Sequence, residues 1–247
     1  EYTFRSLHSI ISSLNVAKIK FPKIQFDIIV IDYNSKKEDL HQIDQQLNKS
    51  NIKYSVTSLN LKEFSDNIKK INAKNESVTL NQISNMSNIY KSFLLAKNQC
   101  KDLIYFVEDD YLHKLDAFSE MILSYERISS QLSKELILCP ADYPYLYTKI
   151  DSTNIFLGSS KHWRKIDETL CTFLTSKVLV EKYWNTLISM CQFEHYPFEQ
   201  PLHDIYKSEY CLSPIPSLAM HCTNVNSIFG LSPNLDWNRL WEDNKNY

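Results

Sequence analysis

Two glycines, Gly158 and Gly230, serve a chain of 247 residues, where average usage of roughly 7% would place about seventeen. A Rossmann fingerprint and a P-loop both need clustered glycines. Any phosphate bound by this chain must therefore be held by something other than a glycine cradle. The formal charge of −2 argues against a surface built to grip a nucleic-acid backbone. Hydrophobic residues at 43% and charged residues at 23% support a sizeable core rather than disorder. The six cysteines include no C-x-x-C pair, which excludes zinc ribbons and thioredoxin-like motifs. Cys211 with Cys222 is the one candidate disulfide, and buried reduced thiols are the simpler reading. The longest apolar runs, IIVI and LIYFV, are too short to cross a bilayer. Without a leader-like start or an initiator Met at Glu1, the expectation is a cytoplasmic protein of which this is part of a longer polypeptide.

Hydrophobic spacing then assigns the elements. Phe4, Leu7, Ile10, Ile11 and Leu14 recur at helical intervals up to Pro22. FDIIVIDYNS (Phe26 to Ser35) and LIYFV (Leu103 to Val107) are continuous runs of the kind buried on both faces of a parallel sheet. Ile52 to Leu59 alternates like a strand, and Leu115 to Ile128 carries the clearest helical stripe. Strands alternating with helices predict an α/β domain with a mostly parallel central sheet flanked by helices. The second half reads as irregular and rich in aromatics, Pro and His.

Three acids, Glu108-Asp109-Asp110, close the LIYFV strand, where open α/β sheets place their ligands. Alternation in extended chain points Glu108 and Asp110 to one side and Asp109 to the other. Two carboxylates on one side suit Mg²⁺ or Mn²⁺ completed by a substrate diphosphate; capping of the next helix is the alternative. His221 is a buried imidazole or a third ligand, and in the second case favours Mn²⁺. Asp32 can accept from a nucleoside or from its own turn. Glu199 and Asp204 are each a general base or a solvated acid. Arg164, Trp163, Tyr143, Tyr145 and Tyr147 are a sugar-lining set or core.

Together these segments resemble the GT-A fold glycosyltransferases, nearest to the family 2-like group that uses nucleotide-sugar donors. EYTFRSLHSIISSL is similar to the helix after that family's first strand, DIIVIDYNS to its second strand, and YKSFLLAKNQCKDLIYFVEDDYLH to the helix and strand leading to its metal motif. LHDIYKSEYCLSPIPSLAMHC is similar to the stretch from its catalytic base to its C-terminal metal-binding His. The metal motif here opens with Glu instead of Asp, and the base motif reads His-Asp.

The resemblance implies one Rossmann-like GT-A domain, with residues 1–113 as the nucleotide-sugar and metal half and 114–247 as the acceptor half. It implies Glu108, Asp110 and His221 on Mn²⁺ (or Mg²⁺), and Asp32, Asp109 and Arg164 on the donor, a UDP-sugar by preference. Asp204, with Glu199 as second choice, becomes the base of an inverting transfer to a hydroxyl of a glycan or lipid-linked acceptor. The setting implied is polysaccharide biosynthesis, with peripheral association at the inner face of a membrane allowed. A nucleotidyltransferase on a related sheet and a non-catalytic glycan- or protein-binding module are the alternatives; the first lacks its Gly-rich activating loop here.

Overall fold

A computed structural model describes residues 2–69, 71–72, 75–148, 150, 152–192, 198–225 and 230–245. The first half alternates as expected: α1 (Tyr2–Lys20), β1 (Asp27–Asp32), α2 (Lys37–Asn48), β2 (Lys53–Ser58), α3 (Leu80–Gln99) and β3 (Leu103–Phe106). There follow β4 (Tyr111–His113), α4 (Ala117–Leu132), β5 (Leu136–Leu138), β6 (Ile155–Leu157), β7 (His162–Lys165) and β8 (Phe173–Ser176). The chain ends with α5 (Lys177–Lys182), α6 (Trp184–Gln192), α7 (Gln200–Ser208), β9 (Tyr210–Ile215), β10 (Ala219–His221) and α8 (Trp237–Asp243). With so little glycine, left-handed turns fall largely to Asn: Asn34, Asn51, Asn75 and Asn234 all have positive φ, joined by Ser133.

The fold is α/β, but the expectation of a mostly parallel sheet is corrected. The main sheet has six strands in the order β3-β8-β5-β9-β7-β6, and only β5–β9 is a parallel pairing. The reason lies in the connections. β8 returns over a long connection to insert antiparallel between β3 and β5, and β6–β7 adds at the far edge as a short-turned hairpin. The half expected to be irregular thus supplies five of the six strands, four of them only three or four residues long.

β1 and β2 pair in parallel as a separate sheet of two strands. The IIVI run, expected to be buried on both faces, is only partly buried. One edge of β1 has no strand partner among the described residues. It is held instead by helices: Leu14 and Ala17 of α1 pack in one cluster with Ile28, Leu103 and Tyr105, while Met86 and Phe93 of α3 pack towards Ile31 and Ile104 respectively. β1 and β3 therefore lie in one layer between α1 and α3 without a ladder joining them.

Buried serines on one face of α1 fix its other side. Ser6 Oγ donates to Tyr111 O at 2.7 Å. His113 N donates to Ser9 Oγ at 3.0 Å, and Phe118 N to Ser13 Oγ at 3.1 Å. The spacing of three and four residues puts all three hydroxyls on one stripe, which pins β4 and the start of α4.

The β6–β7 turn is organised by a buried carboxylate. Glu120 Oε1 accepts from Ser124 Oγ (2.8 Å), Ser159 N (3.1 Å), Lys161 N (3.2 Å) and Trp163 Nε1 (3.3 Å), and Oε2 from Ser160 N and Ser160 Oγ, both at 2.7 Å. Gly158 makes this approach possible, since a Cβ there would come within 2.4 Å of Ser124 Oγ and Trp163 Nε1. Trp163 is fully buried, so it is a core residue and not part of a sugar-lining surface.

The thiols are all free. Cys211 lies 3.6 Å from the sulfur of Cys139, just past β5, and the candidate Cys211–Cys222 pairing is not formed, as the reading of reduced thiols expected. No helix among the described residues is long and apolar enough to cross a membrane.

Candidate functional site

The short antiparallel pair β4–β10 builds the centre of the site. Its register sets His221 opposite Tyr111, and Cys222 N donates to Asp110 O at 2.7 Å. Asp110 and His221, far apart in sequence, are thereby brought side by side: Nε2 of the imidazole lies 2.8 Å from Oδ2 of the carboxylate. The ring is stacked on Tyr111 with centroids 4.7 Å apart. Thr223 Oγ1 donates to the same Oδ2 at 2.6 Å and lies 3.1 Å from Nε2. Burial alone pushes the Asp110 carboxyl up, yet the bonds from His221 and Thr223 and the imidazole's charge hold it below the usual carboxylate range. Asp110 does not cap the following helix, whose first flanking residue is Asp116.

Glu108 lies two residues past β3, in irregular chain just before the turn at Asp109 and Asp110. Its Oε2 accepts from Thr172 Oγ1 at 3.1 Å, and its own N–H donates to that hydroxyl at 3.2 Å. The residue is exposed, and its carboxyl lies near Asp110 and His221. Burial and then the Asp110 charge push it up to about 7, with His221 and Thr172 opposing and Glu199 adding to the rise. Asp109 points away from this pair, as alternation predicts, and accepts from Thr3 Oγ1 at 2.9 Å.

Glu199 occupies the position before the first turn of α7 and is partly buried. Its charge adds to the upward push on the Glu108, Tyr145 and Cys171 groups. Asp204, further along the helix, is exposed and accepts from Gln200 Nε2 at 2.9 Å. Of the two candidate bases, Glu199 is the less exposed.

Arg164 is not open to a donor. It is buried on β7, bonded to Asp142 at 2.7 Å, with its guanidinium 4.0 Å from the Tyr147 ring centroid. Asp32 closes β1 at the carboxyl end, where its side chain accepts from Ser35 N at 3.4 Å beside the left-handed Asn34. Tyr143 is buried with its hydroxyl 2.5 Å from that of Tyr111, while Tyr147 is exposed.

Among the described residues no three His, Cys, Asp or Glu side chains stand close enough to cage a cation. Asp110 and His221 are already assembled, and Glu108 stands off against Thr172. That set fits a hard divalent ion that takes one or two carboxylates and completes its shell with water and substrate phosphates. Sequence reasoning missed Thr172 and Thr223. The hydroxyl two places after His221 is the one signal that could have found either. Compared with family models and with curated proteins, the chain matches none.

Proposed function

We propose that the chain is a metal-dependent glycosyltransferase of GT-A type that moves a sugar from a nucleoside-diphosphate donor to an acceptor hydroxyl. The observation that carries this reading is the Asp110–His221 contact at 2.8 Å, a carboxylate and an imidazole drawn together from distant parts of the chain, with a second acid, Glu108, two residues before the first.

Asp110 and His221 would hold the ion, with Glu108 released from Thr172 to join them. A bound Mn²⁺ or Mg²⁺ supplies Lewis-acid neutralisation of the departing diphosphate. Asp110 is kept ionised by Thr223, and Tyr111 fixes the plane of the imidazole by stacking. Glu199 accepts the proton of the acceptor hydroxyl. Asp32, at the carboxyl end of a separate strand pair, is the candidate contact for the nucleoside.

The test is thermal unfolding with Mn²⁺ and a panel of nucleoside diphosphates. A ligand at about 100 times Kd stabilises by roughly 2.7 kcal/mol, which for a chain of this size is a rise of about 5–11 °C. Asp110→Asn should abolish that rise, read against the variant's own unliganded Tm, which falls as the charge-assisted bonds from His221 and Thr223 are lost. Equal rises in both proteins would remove the site assignment.

A further inference from the structure

The end of the molecule opposite the candidate site carries a different surface. α1 starts beside Asp109, to which Thr3 is bonded, and its 19 residues travel about 28 Å to Lys20. The stretch from Val16 to Ile24 reads VAKIKFPKI, three lysines without an acid. Lys18, Lys20 and Lys23 are exposed, and among them Ile19 is 83% and Ile24 42% exposed. Lys18 Nζ donates to Asn51 O at 2.5 Å, which ties this tip to the α2–β2 loop and its exposed Lys49 and Lys53. Asp27, bridged to Lys53 at 3.5 Å, and the exposed Asp102 offset only part of this charge. The chain as a whole carries −2, so this run of lysines stands against a slightly acidic background.

We propose that this lysine-rich, isoleucine-tipped face docks on an anionic phospholipid bilayer, with Ile19 and Ile24 in the headgroup layer and the lysines against lipid phosphates. Exposed aliphatic side chains between cations match an interfacial membrane anchor. Single-stranded nucleic acid would call instead for aromatic stacking platforms and arginine, and the aromatic here, Phe21, is partly buried with Lys20 positioned over it. The docking does not depend on the transferase reading. Combined with that reading, it turns the candidate site about 28 Å away from the lipid surface, and so selects an acceptor hydroxyl well clear of the bilayer.

Sedimentation with vesicles of phosphatidylcholine, with and without phosphatidylglycerol, tests this without reference to activity. Each lysine near an anionic surface is worth about fivefold in partition, so Lys18→Gln/Lys20→Gln/Lys23→Gln should weaken binding to anionic vesicles by roughly 100-fold. The charge-matched variant Lys36→Gln/Lys37→Gln/Lys62→Gln, altered at exposed positions away from this face, should bind like wild type. Absence of binding to anionic vesicles, or equal loss in both variants, overturns the proposal. Retention on a DNA duplex together with failure to bind vesicles overturns it in favour of nucleic acid.

Discussion

Glu120→Gln is the sharpest probe of how the second half of the chain is held. The carboxylate is sealed from solvent just beneath the surface and accepts six hydrogen bonds, from Ser124, Ser159, Ser160 twice, Lys161 and Trp163. Glutamine keeps the shape but turns an amide N–H₂ towards Ser160 or towards the four-donor side. With the amide oxygen on the crowded side, Ser160 N–H loses its acceptor, and the other five bonds lose charge assistance or reverse. A hydrogen bond to a charged group contributes about 1.5–3 kcal/mol against about 1 kcal/mol for a neutral one. Because the backbone at Ser159 and Ser160 is exposed, water recovers part of the deficit, and a net loss of about 3 kcal/mol follows. At about 2–4 °C per kcal/mol, Tm should fall by about 6–12 °C. Burial pushes this carboxyl up, but the bonds from Ser160, Ser124 and Trp163 more than reverse that and hold it below its ordinary value. Its contribution is therefore complete above the unfolded carboxyl pKa and fades as pH falls through the folded one. The gap between wild type and variant, followed by thermal and urea unfolding, should narrow in acid. A Tm change under about 1 °C, or a gap that stays constant in acid, would refute the reasoning.

Two further outcomes follow from the site. Glu199→Gln should lower turnover by about 10²–10⁴ with donor-dependent stabilisation intact, while Asp204→Asn stays near wild type; steady-state sugar transfer checks it, and the reverse ranking would return Asp204 to the role of base. Glu108, with its carboxyl pushed up to about 7, must lose a proton to join a cation. Mn²⁺-dependent stabilisation should therefore rise with pH up to about 7 and then level off, whereas the metal-free fold should lose this group's contribution as pH climbs from the unfolded carboxyl value through about 7. A flat titration across that range would detach Glu108 from the ion.

Long periodic segments were legible in the sequence. The helical stripes of α1 and α4 stand where spacing places them, because each extends over enough residues to display its period, and β1 and β3 fall within uninterrupted apolar runs. β4, β5, β6 and β10 are three residues each, too short for any pattern, and with them went the antiparallel character of the sheet. Asp110 and His221 could be named because of their residue types at strand ends, but their contact depends on β4 and β10 pairing, which neither segment announces. Arg164 and Trp163 misled for a related reason. A cation and an indole are read as surface chemistry until their buried partners, Asp142 and Glu120, are known. The choice between Glu199 and Asp204 turned on their relative exposure, which residue type alone does not reveal.

The two-stranded sheet of β1 and β2 reaches the rest of the molecule through side chains on α1 and α3 rather than through a backbone ladder. A two-stranded unit of this kind is marginal by itself, so it opens at the free energy of its helix contacts, well below that of the six-stranded sheet. The pair β4–β10 beside Asp110 is also two-stranded, but Ser6 and Ser9 of α1 tie β4 down by hydrogen bonds to its backbone. A ligand held by Asp32 would stiffen the β1–β2 unit, and part of its binding free energy would offset that loss of motion.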